Sequence, residues 1–278
     1  MSPLAKFTIA LLVAAGIGGG IYYWYGHRAP PAPPAAPAVK PAAPTPPATP
    51  PPDAAPAIQN PLETKAEGLP PLSESDEYVR KLLLQLLGKK GLAFILTGDF
   101  IRHCVSTVDS LANEKSNVMM WPVNQTAGRF QTEAGPAGTV IADRNDARYA
   151  AFVLFVEAVD ARKAAALYRR LYPLFQQAYE ELGYPGRYFN DRLVEVIDHL
   201  LATPDVPRPI KVKQVEVPGV PKPVRPLYQY EDPALEKLSA GQKILLRVGS
   251  AHAARFKAKL NELRRQVARG PGRAQTAQ

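Results

Sequence analysis

Residues 7–25 read FTIALLVAAGIGGGIYYWY, an apolar run without a single charge. At about 1.5 Å per residue, a helix of this length just crosses a hydrocarbon core of roughly 30 Å. The closing Tyr22-Tyr23-Trp24-Tyr25 suits the membrane–water boundary, where a ring and its polar tip are both satisfied. The run predicts one transmembrane helix over residues 7–25 behind a short tail, residues 1–6. The competing reading is a cleaved signal peptide. That needs a small-x-small step close behind the apolar run, and Ile21 to Tyr25 intervene. Gly16 and Gly20, with the ridge Ala10, Ala14 and Gly18, would let two such helices approach closely, so a homodimer through the anchor is one expectation.

The pattern then loses all periodicity. Residues 29–64 are dominated by Pro and Ala. Proline fixes its own φ and pushes its predecessor into extended geometry, which makes a solvated, fairly stiff spacer. At ~3.1 Å per residue its upper reach is on the order of 100 Å. This stretch is expected to be a disordered linker with no core of its own.

Helical periodicity begins past residue 65. Ser73 or Ser75 can cap a helix in which Val79, Leu82, Leu83, Leu86 and Leu87 share a face, and Gly88 stops it. After Gly98-Asp99, the residues Ile101, Cys104, Val105, Val108, Leu111 and Ala112 form a second apolar face. Asp99, Arg102, Ser106 and Asp109 fall opposite, and Cys104 reads as a small core residue. Met119 to Pro122 is expected to be extended. Residues 129–132 and 139–142 are strand candidates around Gly135-Pro136. Residues 145–158 return to helix. Ala161 to Leu182 make a long amphipathic segment that Pro173 should kink or divide. Gly183 to Gly186 form a turn, and Phe189, Leu193, Val196, Ile197 and Leu200 line the next helix. Strand candidates follow at 210–217 and 223–230. Ser239 starts a helix, and Phe256, Leu260, Leu263 and Val267 stripe the last one. Arg255, Lys257, Lys259, Arg264 and Arg265 spread around that helix as a solvated face.

The fold class expected is mainly α within α+β. A multi-helix soluble domain with a small antiparallel sheet occupies residues 65–268, after one transmembrane helix and the Pro/Ala stalk. A disordered tail, residues 269–278, closes the chain.

Charge and cysteine content narrow the chemistry only a little. The formal net charge of +9 favours anionic partners, but the excess is spread over the chain's ends and one loop, so nucleic acid is not the expected partner. The single cysteine, Cys104, excludes an intramolecular disulfide and a Cys-based zinc site. There is no H-E-x-x-H, no G-x-G-x-x-G and no phosphate-binding G-x-x-x-x-G-K. His103 and Cys104 are helix neighbours that point about 100° apart, so they form no dyad. Glu195 and His199 can meet as a surface pair. No catalytic residue, metal site or cofactor is expected.

One constellation holds candidate binding groups. Tyr184-Pro185-Gly186-Arg187-Tyr188-Phe189-Asn190-Asp191-Arg192 crowds aromatic, cationic and acidic side chains into a turn and a helix entrance. Tyr184, Arg187, Tyr188 and Asp191, with Arg102, could receive an anion or a peptide terminus on exposed backbone N–H groups. The plainer alternative is that Asn190 or Asp191 caps the helix while the aromatics seal the core edge.

The blocks LPPLSESDEYVRKLL, FIRHCVSTVDSLA, LYRRLYPLFQQAYEELGYPGRYFNDRLVEVIDHLLATP and LYQYEDPALEKLSAGQKILLRVG resemble an uncharacterised proteobacterial family known as a domain of unknown function. The resemblance covers about residues 65–268 and is most specific around Leu182 to Gly186. It implies an N-terminal span, a Pro-rich linker and a helical domain, and it transfers no site. The functional expectation is a non-enzymatic cell-envelope protein in the bacterial inner membrane, single-pass, with a periplasmic C-terminal domain. Its partners would be membrane lipid along residues 7–25 and an envelope protein or wall polymer. The alternatives are an envelope-polymer hydrolase or transferase using Arg102, Asp109, Arg187 and Asp191, or a cytoplasm-facing protein whose last helix binds nucleic acid or lipid.

Overall fold

The computed structural model describes residues 57–62, 64, 68–136, 138–215 and 226–268. The expected span at 7–25, most of the linker, the tail and part of the strand candidates at 210–230 lie outside them. Among the described residues no helix is long and apolar enough to cross a membrane.

Eight α-helices are described: α1 (Asp76–Leu92), α2 (Phe100–Leu111), α3 (Ala150–Ala158), α4 (Ala161–Glu181), α5 (Phe189–Leu201), α6 (Pro233–Glu236), α7 (Ala240–Arg247) and α8 (Ser250–Val267). Two antiparallel ribbons accompany them. Strand β1 (Thr132–Gly135) pairs with β2 (Gly138–Ile141), and β3 (Val212–Gln214) with β4 (Tyr228–Tyr230). Ile141 N–H donates to the Ile210 carbonyl at 3.0 Å, which joins the ribbons edge to edge. The expected class, mainly helical with a small antiparallel sheet, is what the described residues adopt.

The largest core cluster gathers around α4. Leu171, Tyr172, Leu174, Phe175, Ala178 and Tyr179 meet Val79 and Leu83 of α1, Ile101 and Val105 of α2, and Phe189 at the start of α5. Burying one such side chain contributes about 1.5–3 kcal/mol. The opposite flank of α5 serves other clusters. Val194 and Ile197 pack with Ala165 and Val267, while Val196 and Leu200 pack with Leu245. Helix α5 is therefore buried on several sides, with the four helices α2, α4, α7 and α8 around it.

Local signals explain most boundaries. Gly88 sits at φ +65°, so the helical path breaks there before a last turn, as its backbone freedom allows. Asp160 caps α4 by accepting from Arg162 and Lys163 N–H. Ser239 and Gln242 form a capping box on α7. Pro173 leaves α4 undivided. A mid-helix proline costs ~3 kcal/mol, and the buried residues Leu171, Tyr172, Leu174 and Phe175 on both sides of it offset that cost.

Several expectations are corrected. Residues 118–120 are a 3-10 turn, not extended, because the Asn117 side chain accepts from Met119 N–H and starts it. The first strand lies at 132–135 instead of 129–132. The buried stripe of α2 is Ile101, Val105 and Asp109, so Asp109 faces inward, while Cys104, half-buried, packs against the core as expected. Glu195 pairs with Arg192 at 3.0 Å, not with His199. Nor is the basic face of α8 simply solvated. Arg255 pairs with Glu157 and Arg264 with Asp198. Lys257 donates to the Thr203 carbonyl at 2.6 Å, and Lys259 to the Val159 carbonyl at 3.0 Å. Periodicity treats a charged flank as solvent-facing, but α8 is flanked by α3, α4, α5 and α7, whose carboxylates and free carbonyl ends take up its cations.

Candidate functional site

The turn between α4 and α5 is built by left-handed glycines. Gly183 has φ +114° and Gly186 φ +72°, conformations that an L side chain rarely adopts. Gln176, one turn before the end of α4, fixes the start of α5. Its amide donates to the Arg187 carbonyl at 2.7 Å, and its side-chain oxygen accepts from Phe189 N–H at 2.9 Å. The block is thus bolted to α4 at two backbone points. Tyr184 stacks on Tyr179, with centroids 4.6 Å apart.

These elements frame a cleft of 430 Å³ whose lining includes Tyr184, Arg187, Tyr188 and Asp191. The structure therefore brings together these sequence-selected residues. Arg102 is not part of the lining. It lies on α2 and bonds to Glu181 at 3.0 Å and to Asp99 at 3.4 Å.

Two acidic groups organise the cleft. Asp109 accepts from Arg192 Nε at 2.9 Å and from Tyr184 Oη at 3.1 Å, and its carbonyl accepts from Arg192 Nη2 at 2.9 Å. Hydrogen bonding to the Asp109 carboxylate raises the pKa of Tyr184. Burial works against the Arg192 charge, but Glu195 and Asp109 outweigh it, and its pKa is raised. Asp191 faces a different partner. One of its oxygens accepts Gln59 N–H at 3.0 Å, and the other accepts Asn60 N–H at 2.6 Å and Asn60 Nδ2 at 3.1 Å.

This block therefore bonds to an earlier segment of the same chain. Residues 57–62, which the sequence counts with the linker, lie against the domain. Tyr188 Oη accepts Leu62 N–H at 2.9 Å. Asn190, fully buried, donates from Nδ2 to the Asn60 carbonyl at 2.8 Å and to the Val267 carbonyl at 2.9 Å. Its oxygen accepts from Tyr168 Oη at 3.3 Å, and its N–H donates to Tyr172 Oη at 3.3 Å. One amide thus ties the end of the linker, the start of α5 and the end of α8. Neither sequence reading of this helix start holds fully. The N-cap is Tyr188, without a side-chain cap bond, and Asn190 and Asp191 bind a peptide segment through its own N–H and C=O groups. The aromatics do seal the core edge: Tyr172 and Tyr188 pack 5.1 Å apart and Phe175 stacks on Phe189 at 5.9 Å.

Sequence reasoning missed Gln59, Asn60 and Gln176 as members of this arrangement. Asn60 was hidden in a Pro/Ala tract, and Gln176 on the polar flank of an amphipathic helix. The fold and this cleft define a helical domain that clamps a non-helical segment of its own chain. Residues 100–264 match the family described as "Protein of unknown function (DUF3014)". The chain belongs to that family. No curated protein matches it, and no solved structure does.

Proposed function

We propose that the chain is a non-enzymatic cell-envelope protein. Residues 7–25 hold it to the bacterial inner membrane, and the helical domain stands on the periplasmic side at the end of the Pro/Ala spacer, where it engages an envelope protein or wall polymer. The observation that carries this reading is the clamp on residues 59–62. Asp191, Asn190 and Tyr188 spend their polar atoms on the spacer's last residues. These bonds fix where residues 59–62 join the domain, which suits a module carried on a spacer.

The same bonds weigh against a hydrolase in this cleft. General acid–base chemistry needs a group free to exchange a proton with substrate. Asp109 is held by Arg192 and Tyr184, and Asp191 by backbone donors. Arg255, Lys257, Lys259 and Arg264 are likewise engaged internally, which weakens the reading of α8 as a nucleic-acid or lipid binder. The test is topology. A reporter active only outside the cytoplasm, fused after Gln278, should be active, and a reporter fluorescent only in the cytoplasm should stay dark at the same junction. The reverse pattern would sink the proposal.

A further inference from the structure

A second cavity, of 460 Å³, lies within the matched family region and takes no part in the clamp. Its wall is aromatic and aliphatic: Trp121, Phe130, Tyr149, Phe152, Ile244 and Phe256 all line it. This volume and lining are those of a small-molecule site, for which roughly 300–1,000 Å³ is usual.

The loop that forms one side, residues 121–131, has little regular structure yet is pinned throughout. Asn124 donates from its N–H to the Phe94 carbonyl at 2.9 Å and from Nδ2 to the Ala93 carbonyl at 2.7 Å. Trp121 Nε1 donates to Ser116 Oγ at 3.0 Å. Arg148 donates to the carbonyls of Ala127 at 3.3 Å and Gly128 at 3.2 Å, and to Asn145 Oδ1 at 3.2 Å. Asn145 is fully buried and also accepts Gln131 N–H at 3.1 Å. A loop held by polar bonds on this scale is preorganised, so less ordering entropy opposes ligand binding.

The charge in the cavity is one-sided. Among the described lining residues there are two guanidinium groups, Arg129 and Arg148, and no carboxylate. The partners of Arg148 are all neutral oxygens. Arg129 is exposed at the rim, and among the described residues its side chain has no ion-pair partner. Positive charge next to a low-dielectric wall attracts an anion more strongly than it would in open water, and guanidinium suits carboxylate and phosphate best. An isolated inorganic anion would leave the aromatic wall unused.

We propose that this cavity binds a small anionic amphiphile, its apolar chain or ring against Trp121, Phe152 and Phe256 and its carboxylate or phosphate at Arg129 and Arg148. This goes beyond the envelope reading and does not depend on which side of the membrane the domain occupies.

The chain supplies its own reporter, because its two tryptophans are Trp24 and Trp121. In a full-length Trp24→Phe protein held in phosphatidylcholine nanodiscs, Trp121 is the sole indole. Its emission is followed while dodecanoate or 1-naphthoate is added, each against its uncharged alcohol, with free titrant fixed by dialysis against empty nanodiscs. At least one acid should give a saturable response about 10-fold tighter than its alcohol, a factor worth roughly 1.4 kcal/mol. Arg129→Gln, at an exposed position, should remove that factor and leave the circular dichroism unchanged. Saturation by dodecanoate assigns the site to acyl chains of the kind lipids release, and saturation by naphthoate alone to soluble aromatic acids. The proposal is overturned if neither acid saturates the response, if acid and alcohol bind equally, or if Arg129→Gln changes nothing.

Discussion

Asn190 is where three distant segments of the chain meet. Its side chain is fully buried and bonds to Asn60, Val267 and Tyr168. Removing a buried polar group strands its partners, at about 1–3 kcal/mol for each unsatisfied atom. Asn190→Ala should therefore lower the stability measured by urea unfolding by about 3 kcal/mol. A loss under one-third of that would mean water replaces the amide. Asp109 poses the corresponding charge problem. Arg192 is largely buried against it, and breaking a buried pair from one side costs about 3–5 kcal/mol. Asp109→Ala should fall near the lower figure, since Glu195 still pairs with Arg192. Double-mutant cycles with Arg192→Ala would show the coupling. Cys104 behaves differently. The residue is half-buried overall, but desolvation of the sulfur where it packs against the core pushes its thiol well above the usual range.

At the scale of elements, two backbone positions decide how helices meet. Gly249 precedes α8 at φ +91° and ψ 152°, a region that glycine alone occupies at ease. A Cβ there would come within 2.0 Å of the Asp146 carboxylate, which Arg208 already holds. Gly249→Ala should lower the melting temperature by more than the ~1–3 kcal/mol of backbone strain alone implies. An unchanged melting temperature would show that the Asp146 side chain moves aside freely. Pro173 is the opposite case. Helix α4 continues through it without the hydrogen bond that an alanine N–H would add. Pro173→Ala should stabilise the domain by about 1 kcal/mol or more, seen as a rise in melting temperature. A fall would mean the ring's packing outweighs the restored bond.

At the scale of the whole molecule, the clamp and the buried tyrosines respond to different perturbations. Asp191→Ala removes the acceptor for Gln59 and Asn60 N–H. Amide exchange at Gln59 and Asn60 should accelerate by at least about tenfold, the effect of ~1.4 kcal/mol, while α4 and α5 stay protected. Equal acceleration across the domain would make Asp191 a general stability residue. Alkali acts on the core. Burial raises the Tyr230 pKa to about 12, and burial likewise raises Tyr168 and Tyr172. The unfolded chain ionises its tyrosines near pH 10. Below that pH the folded state keeps its full advantage. Between about pH 10 and the folded pKa the unfolded state loses protons first, so stability falls as pH rises. Chemical denaturation midpoints should hold steady up to pH 9 and drop steeply between pH 10 and 12.

The sequence by itself determined the elements that depend on neighbours a few residues apart. Helical periodicity located α1, α2, α4 and α5, glycine marked the turn at 183–186, and Ser239 marked the start of α7. Each is a local signal, because capping and amphipathic spacing act within one or two turns. It also selected Tyr184, Arg187, Tyr188 and Asp191 as a group. It did not indicate what they hold, because Gln59 and Asn60 lie more than 120 residues away and carry no pattern. Only the tertiary structure decided that Asp109 faces inward toward Arg192, that the cations of α8 find partners on α3 and α5, and that Trp121, Arg148 and Phe256 share a cavity. The physical reason is the same each time. Burial of a polar group is settled by the donor or acceptor that arrives from a distant segment, and no stretch of sequence records that meeting.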